Sequence, residues 1–156
     1  MIIGRVAGGA STAARLRRLD EQAEIILFEK GEYISYANCG LPYYIGGVIE
    51  ERERLFVQTP ESFKARFNIE VRIKSEVKAI EPENKQVVIK DWATGKTYRE
   101  SFDKLVLSPG AEPVLPPWEG IRTEGIFTLR NVADTDRIKA WAGRQEVKKA
   151  VVVGAG

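Results

Sequence analysis

The period of the apolar positions changes several times along the chain, and each change marks an element. Residues 8–20 (GGASTAARLRRLD) set Ala and Leu on one side of a 3.6-residue repeat and arginines on the other, which predicts an amphipathic helix. Ile25-Ile26-Leu27-Phe28 is a short unbroken apolar run, the pattern of a strand buried on both faces of a parallel sheet. From Lys30 to Asn38 turn-forming and polar residues predict a loop. A short helix is expected over 39–45, because Pro42 is tolerated in a first turn. Thr59 before Pro60 marks another helix start, running to about Phe67. Three strands are expected near 69–80, 84–90 and 97–102, with Ala93-Thr94-Gly95-Lys96 as the turn between the last two. Leu105-Val106-Leu107-Ser108 predicts one more buried strand, stopped by Pro109-Gly110. A proline-bearing connection leads to a last helix over 132–143. Helix–strand alternation followed by a meander implies an α/β fold, a Rossmann-like parallel sheet with an antiparallel insert.

Both ends of the pattern are abrupt. Only Met1-Ile2-Ile3 precedes Gly4, where a buried strand usually has about 5–6 residues. Ala150-Val151-Val152-Val153 reads as a buried strand opening into Gly154-Ala155-Gly156, the beginning of a second dinucleotide turn. The expected organisation is part of a longer enzyme: an incomplete nucleotide-binding domain over 1–149, then the first strand and glycine turn of another at 150–156.

Composition narrows the partners. Basic side chains number 24 and acidic ones 22, a net charge of +2, which argues against a nucleic-acid partner. No apolar run approaches the ~18–20 residues of a membrane span, and the N-terminus has no signal-peptide pattern. The one cysteine excludes an internal disulfide framework and, with the rest, suggests a cytoplasmic setting. Histidine is absent from the chain, so neither a histidine base nor a histidine metal ligand is available, and no metal site is expected.

Two places carry chemistry. The first is Gly4-Arg5-Val6-Ala7-Gly8-Gly9 between a strand and a helix. A tight turn there lets backbone amides and the helix N-terminus face a pyrophosphate. Val6 stands where the full fingerprint has its middle glycine, so a glycine-rich helix entry without a ligand is the competing reading. Glu29, closing the second strand, is suited to bind ribose hydroxyls. With Gly154, the turn at Gly4 implies two nucleotides. The second place is Ser35-Tyr36-Ala37-Asn38-Cys39-Gly40-Leu41-Pro42-Tyr43-Tyr44. A lone cysteine is most often a small buried hydrophobe. Cys39, however, falls at the start of the expected short helix, a setting that suits a reactive thiolate, among aromatic and glycine neighbours that suit a flat cofactor.

The stretches GRVAGGASTAARLRRL, IILFEK, YISYANCGLPYYIGG, TPESFKARF, FDKLVLSPGA, FTLRN and VVVGAG together resemble the coenzyme A-disulfide reductases. These are flavin- and pyridine-nucleotide-dependent disulfide oxidoreductases, and some relatives reduce coenzyme A persulfides or polysulfides. The resemblance runs through essentially the whole chain and is most specific around Cys39. It implies FAD in the first domain, NAD(P)H in a second domain lying mostly outside this chain, and a homodimer. By position it makes Cys39 the nucleophile and redox centre, with Ser35 and Asn38 beside the coenzyme A thiol. It places Ser11, Arg15 and Arg18 on coenzyme A, whose phosphates arginines suit. It assigns Gly4, Val6, Gly9, Glu29, Lys30, Val77, Ser108, Gly110 and Arg130 to FAD. Two departures stand out. Arg5 replaces a small residue inside the turn, and Phe67 stands where relatives carry a basic ligand contact, for which Lys64 or Arg66 could substitute. The alternatives are an NADH oxidase or peroxidase cycling through cysteine sulfenic acid and, for these 156 residues alone, a folded module without catalysis.

Overall fold

The computed structural model describes residues 1–4 and 7–154. The chain forms two compact units, one of Met1–Tyr36 with Phe56–Gly110, the other of Ala37–Leu55 with Ala111–Gly156.

The first unit is built on a parallel sheet. Its strands are β1 (Ile2–Ile3), β2 (Ile26–Phe28), β5 (Glu70–Arg72) and β9 (Val106–Leu107), in the order β5-β2-β1-β9. β1 is a two-residue stub, yet it pairs in parallel with β2 on one side and β9 on the other. Helices α1 (Gly8–Leu19) and α3 (Pro60–Phe67) connect the strands. Successive side chains of a strand point to opposite faces, and β2 uses both. Leu27 joins Ile2, Ala13, Phe63 and Ile69 in one core, while Ile26 and Phe28 join Val87 and Ile89 in a second. Burying a side chain such as Leu27 or Phe28 is worth roughly 1.5–3 kcal/mol, so the unbroken apolar run has a physical cause. α3 starts with a reciprocal cap between Thr59 and Ser62 and ends at Asn68, whose φ of 47° is left-handed.

The second core lies under the antiparallel meander β6 (Ser75–Glu81), β7 (Gln86–Asp91) and β8 (Thr97–Ser101). Arg72 ties it to the parallel sheet, bonding Glu70 on its own strand and Glu100 and Tyr98 on β8. Partial burial alone would depress the Arg72 guanidinium, but these bonds outweigh it and raise its pKa above the usual value.

Three expectations change. The strand expected over 69–80 is two strands, β5 in the parallel sheet and β6 in the meander. The chain turns between them at Lys74, whose φ is +51°. Alternation continues through the turn, so periodicity alone does not reveal it. The loop expected from Lys30 to Asn38 contains β3 (Ser35–Tyr36), which pairs antiparallel with β4 (Phe56–Gln58). Two residues are too short to leave a period. Finally, Val151, Val152 and Val153 lie in no strand and are exposed. An apolar run becomes a strand only where a ladder partner exists, and none pairs with these residues among those described.

In the second unit, the short helix expected over 39–45 is the five-residue helix α2 (Leu41–Ile45), and Cys39 lies before it in a 3-10 turn (Asn38–Gly40). A further 3-10 turn covers Arg52–Leu55, and an irregular stretch precedes α4 (Val132–Ala142). α4 is started by a reciprocal cap between Asn131 and Asp134, and α2 packs on it.

Candidate functional site

The glycine turn is held by close backbone approach. Gly4 has φ +86°, and a Cβ there would lie 1.9 Å from the Ser108 carbonyl oxygen. A Cβ on Gly9 would lie 1.8 Å from the Gly4 carbonyl oxygen. Only glycine permits α1 to meet β1 this closely, which is the role a glycine has after the first strand of a nucleotide-binding unit. The Gly4 amide donates to Phe28 O at 3.0 Å and the Ser108 amide to Ile3 O at 2.7 Å, so turn and strand ends are locked together. At the start of α1, Ala7 offers no side-chain acceptor and the first turn carries no acidic residue. Its amides are thus placed to receive an anion. Val6, expected in this turn, and Arg5 lie outside the described residues, as does Gly156 of the second glycine pair.

Glu29 follows β2 directly and is buried at 7% exposure. Its carboxylate accepts the Gly31 amide at 2.6 Å. Its backbone is bonded on both sides, to Arg72 O at 2.9 Å and from the Ser75 amide at 2.8 Å. The strand end therefore presents a carboxylate of defined orientation. Lys30 beside it is exposed. Ser108 is half-buried after β9, and Gly110 is exposed with φ +74°. Val77 lies in β6 opposite Ile89 and packs against the second core.

Ser11, Arg15 and Arg18 sit exposed on α1. The arginine between them behaves differently, since the helical period turns it away from Arg15 and toward the side of Ala10 and Ala13. Arg17 reaches across to α3, donating to Phe67 O at 2.8 Å and Asn68 O at 3.0 Å. It fastens two helices while its neighbours face solvent. Phe67 is half-buried, packs edge-on against Phe63 at 5.2 Å and contributes to the first core. Lys64 and Arg66 are exposed, and Arg66 lies 5.2 Å from the Phe67 ring centre. Ser35 is half-buried in β3, opposite Gln58.

Cys39 and Asn38 belong to the second unit. Both are exposed, and Cys39 is a free thiol. The competing picture of a buried small hydrophobe is thereby replaced by a thiol open to reagents. The turn beneath it is tightly built: the Gly40 amide donates to Ala37 O at 2.9 Å and the Ala37 amide to Leu55 O at 2.8 Å. A Cβ on Gly40 would touch Leu55 and Ile49 at 3.2 and 3.3 Å. Leu55, fully buried, thus supports the cysteine turn from below. Arg130 precedes α4. Its Nε donates to Ala111 O at 2.7 Å and its amide to the Asp134 carboxylate at 2.9 Å.

The family model described as pyridine nucleotide-disulphide oxidoreductase matches residues 1–156. The chain belongs to that family. Among its relatives, the coenzyme A disulfide reductase of Staphylococcus haemolyticus (strain JCSC1435) is 44% identical over 156 residues, all of this chain and 35% of that protein. This chain therefore spans about a third of the length of that oxidoreductase. The crystal structure of reduced Bacillus anthracis CoADR-RHD is 59% identical with a TM-score of 0.88, covering 90% of this chain and 26% of that one. The NAD-dependent persulfide reductase from A. fulgidus is 37% identical with a TM-score of 0.83, over the same shares. The Rossmann-like architecture expected from the strand and helix pattern is the architecture of these oxidoreductases, of which this chain covers part. Among the described residues, no helix is long and apolar enough to cross a membrane.

Proposed function

We propose that this chain is the flavin-binding part of a reductase acting on coenzyme A disulfide or coenzyme A persulfide, with Cys39 as its nucleophile. The observation that carries the reading is the exposed Cys39 thiol on a braced turn, in a chain similar along its whole length to coenzyme A disulfide reductases. The Cys39 thiolate attacks one sulfur of the disulfide. A Cys39–coenzyme A disulfide forms and the other half leaves as a thiolate. With a persulfide the leaving group is hydrosulfide. Asn38 and Ser35 orient the substrate thiol end, and Ser11, Arg15 and Arg18 bind its phosphates.

The residues present fit a dinucleotide. The close approach of Gly4, Gly9 and Ser108 leaves no room for side chains at the two glycines, Ala7 gives α1 no side-chain cap, and Glu29 is a fixed carboxylate at the neighbouring strand end. Gly4, Val6 and Gly9 would hold the pyrophosphate and Glu29 and Lys30 the ribose. Val77, Ser108, Gly110 and Arg130 would line the remainder. When bound, FAD supplies the electron pair, drawn from NAD(P)H, that returns the mixed disulfide to two thiolates. In this reading residues 1–149 belong to the flavin domain, 150–156 enter a nicotinamide domain, and the enzyme is a cytoplasmic homodimer.

Mass analysis of Cys39 after exposure to coenzyme A disulfide tests the reading. A coenzyme A adduct on Cys39 is the expected result. A resting or peroxide-generated sulfenic acid, with no coenzyme A adduct, would replace the reductase with an oxidase or peroxidase.

A further inference from the structure

We infer that helix α4 is the platform that sets the Cys39 thiol in its reactive position, with Lys139 and Asp136 as positioning residues; this rests on the role proposed for Cys39. Three observations within the second unit converge. Lys139 Nζ donates to the Tyr44 carbonyl oxygen at 2.5 Å and lies 4.0 Å from the centre of the Tyr44 ring. It therefore holds the C-terminal end of α2 twice, by a charge-assisted bond to a terminal carbonyl and by its place over the aromatic face. One turn earlier on α4, Asp136 receives Arg52 in a two-pronged pair, Nη2 to Oδ2 at 2.7 Å and Nε to Oδ1 at 3.0 Å. Arg52 opens the 3-10 turn that ends at Leu55, and Leu55 is the residue under Gly40 and the acceptor for the Ala37 amide.

The cysteine turn is thus gripped from both sides by one face of α4. Lys139 fixes the segment after Cys39 by holding α2, and Asp136 fixes the support beneath it by holding Arg52 and, through it, Leu55. α2 has only five residues, too few to hold a helical geometry alone. Cys39 itself is exposed, so its own packing does little to orient it. An exposed thiol on a 3-10 turn that leads into so short a helix needs an external frame if it is to meet a large substrate in one geometry. When a binding-competent arrangement is only partly populated, apparent reactivity falls in proportion to that fraction. A small, unoriented reagent does not sense the loss.

The test compares two probes on the full-length protein, following the adduct on Cys39 by mass. One probe is coenzyme A disulfide, and the other is bis(2-hydroxyethyl) disulfide, small and neutral. In Lys139→Met, adduct formation from coenzyme A disulfide should slow about tenfold, while the small disulfide should react within about twofold of the parent rate. Lys139→Arg, which keeps charge and reach, should restore most of the loss. Asp136→Asn, a milder change, should show the same selective slowing to a smaller degree. Unchanged rates with coenzyme A disulfide in Lys139→Met and Asp136→Asn would overturn the positioning role. Equal losses with both probes, or no rescue by Lys139→Arg, would also overturn it, since the contacts would then serve only the fold. A parent protein that reacts no faster with coenzyme A disulfide than with the small probe would instead bring down the proposed substrate, and this arm separates the two failures.

Discussion

Gly9→Ala isolates the backbone approach on which the nucleotide turn depends. The added Cβ would lie 1.8 Å from Gly4 O and 2.8 Å from Gly4 C, whereas ordinary contact begins near 3.4 Å. Helix and strand end would have to part by well over an ångström. Neither is at liberty to do so, because Gly4 is bonded to Phe28 O at 3.0 Å and Ile3 O holds the Ser108 amide at 2.7 Å. Two effects oppose each other. Alanine is the better helix former by about 1 kcal/mol, and overpacking costs roughly 1–3 kcal/mol or more. With backbone on both sides of the clash, neither partner can rotate away, so the upper end applies and a net loss of about 2 kcal/mol is expected. The control is Gly46→Ala, where φ is −76° and the nearest atom is 3.5 Å away. That change should be neutral or stabilise by up to about 1 kcal/mol. Urea unfolding of both variants, compared at equal m-value, gives the difference. If Gly9→Ala were as stable as Gly46→Ala, the approach of α1 to β1 would not be the constraint that demands glycine.

Three further outcomes are expected. Cys39→Ser in the full-length protein should abolish disulfide or persulfide reduction, because a hydroxyl forms no mixed disulfide, while flavin reduction by nicotinamide continues; normal coenzyme A disulfide turnover would refute the assignment. Replacing Arg15 and Arg18 by Ala should raise KM for coenzyme A substrates about tenfold each, as a charge-assisted contact is worth roughly 1.5–3 kcal/mol, with flavin content unchanged. The Thr94 hydroxyl and the amides of Ala93 and Thr94 hold the Asp91 carboxyl below the usual aspartate range. A carboxyl lowered on folding stabilises above its unfolded pKa and ceases to do so as pH falls through the folded value. The β7–β8 turn should therefore loosen on acidification below the aspartate range, and Thr94→Ala should move the Asp91 titration upward, read by carbon NMR of its carboxyl. An unmoved titration would show that the Thr94 bond is not the cause.

Much of the candidate site was legible from local pattern. The glycine-rich helix entry, the acidic residue closing β2, the capped start of α3 and the short helix after Cys39 all depend on residue type and near neighbours. The partner of Arg17 on α1 was not legible. Arg15 and Arg18, three positions apart, share one face, whereas Arg17 is turned toward the side of Ala10 and Ala13, where the position of α3 makes it a fastener. Nor was the support of Cys39, because Lys139 and Tyr44 are distant in sequence and meet only where α2 lies on α4. Phe67 reads in sequence as the loss of a basic contact; in the fold its ring joins Phe63 in the core.

By itself the sequence determined the α/β class and most element positions and pointed to the two candidate centres, since these depend on period, turn residues and caps that act over a few positions. Tertiary structure decided which strands exist as pairs. β1 is a two-residue stub yet stands between two parallel neighbours. The split of the 69–80 segment at Lys74 and the pairing of β3 with β4 have the same origin. A strand is a relation between segments: side-chain type sets which residues favour extended backbone, and only the approach of another strand supplies the hydrogen bonds that keep it there.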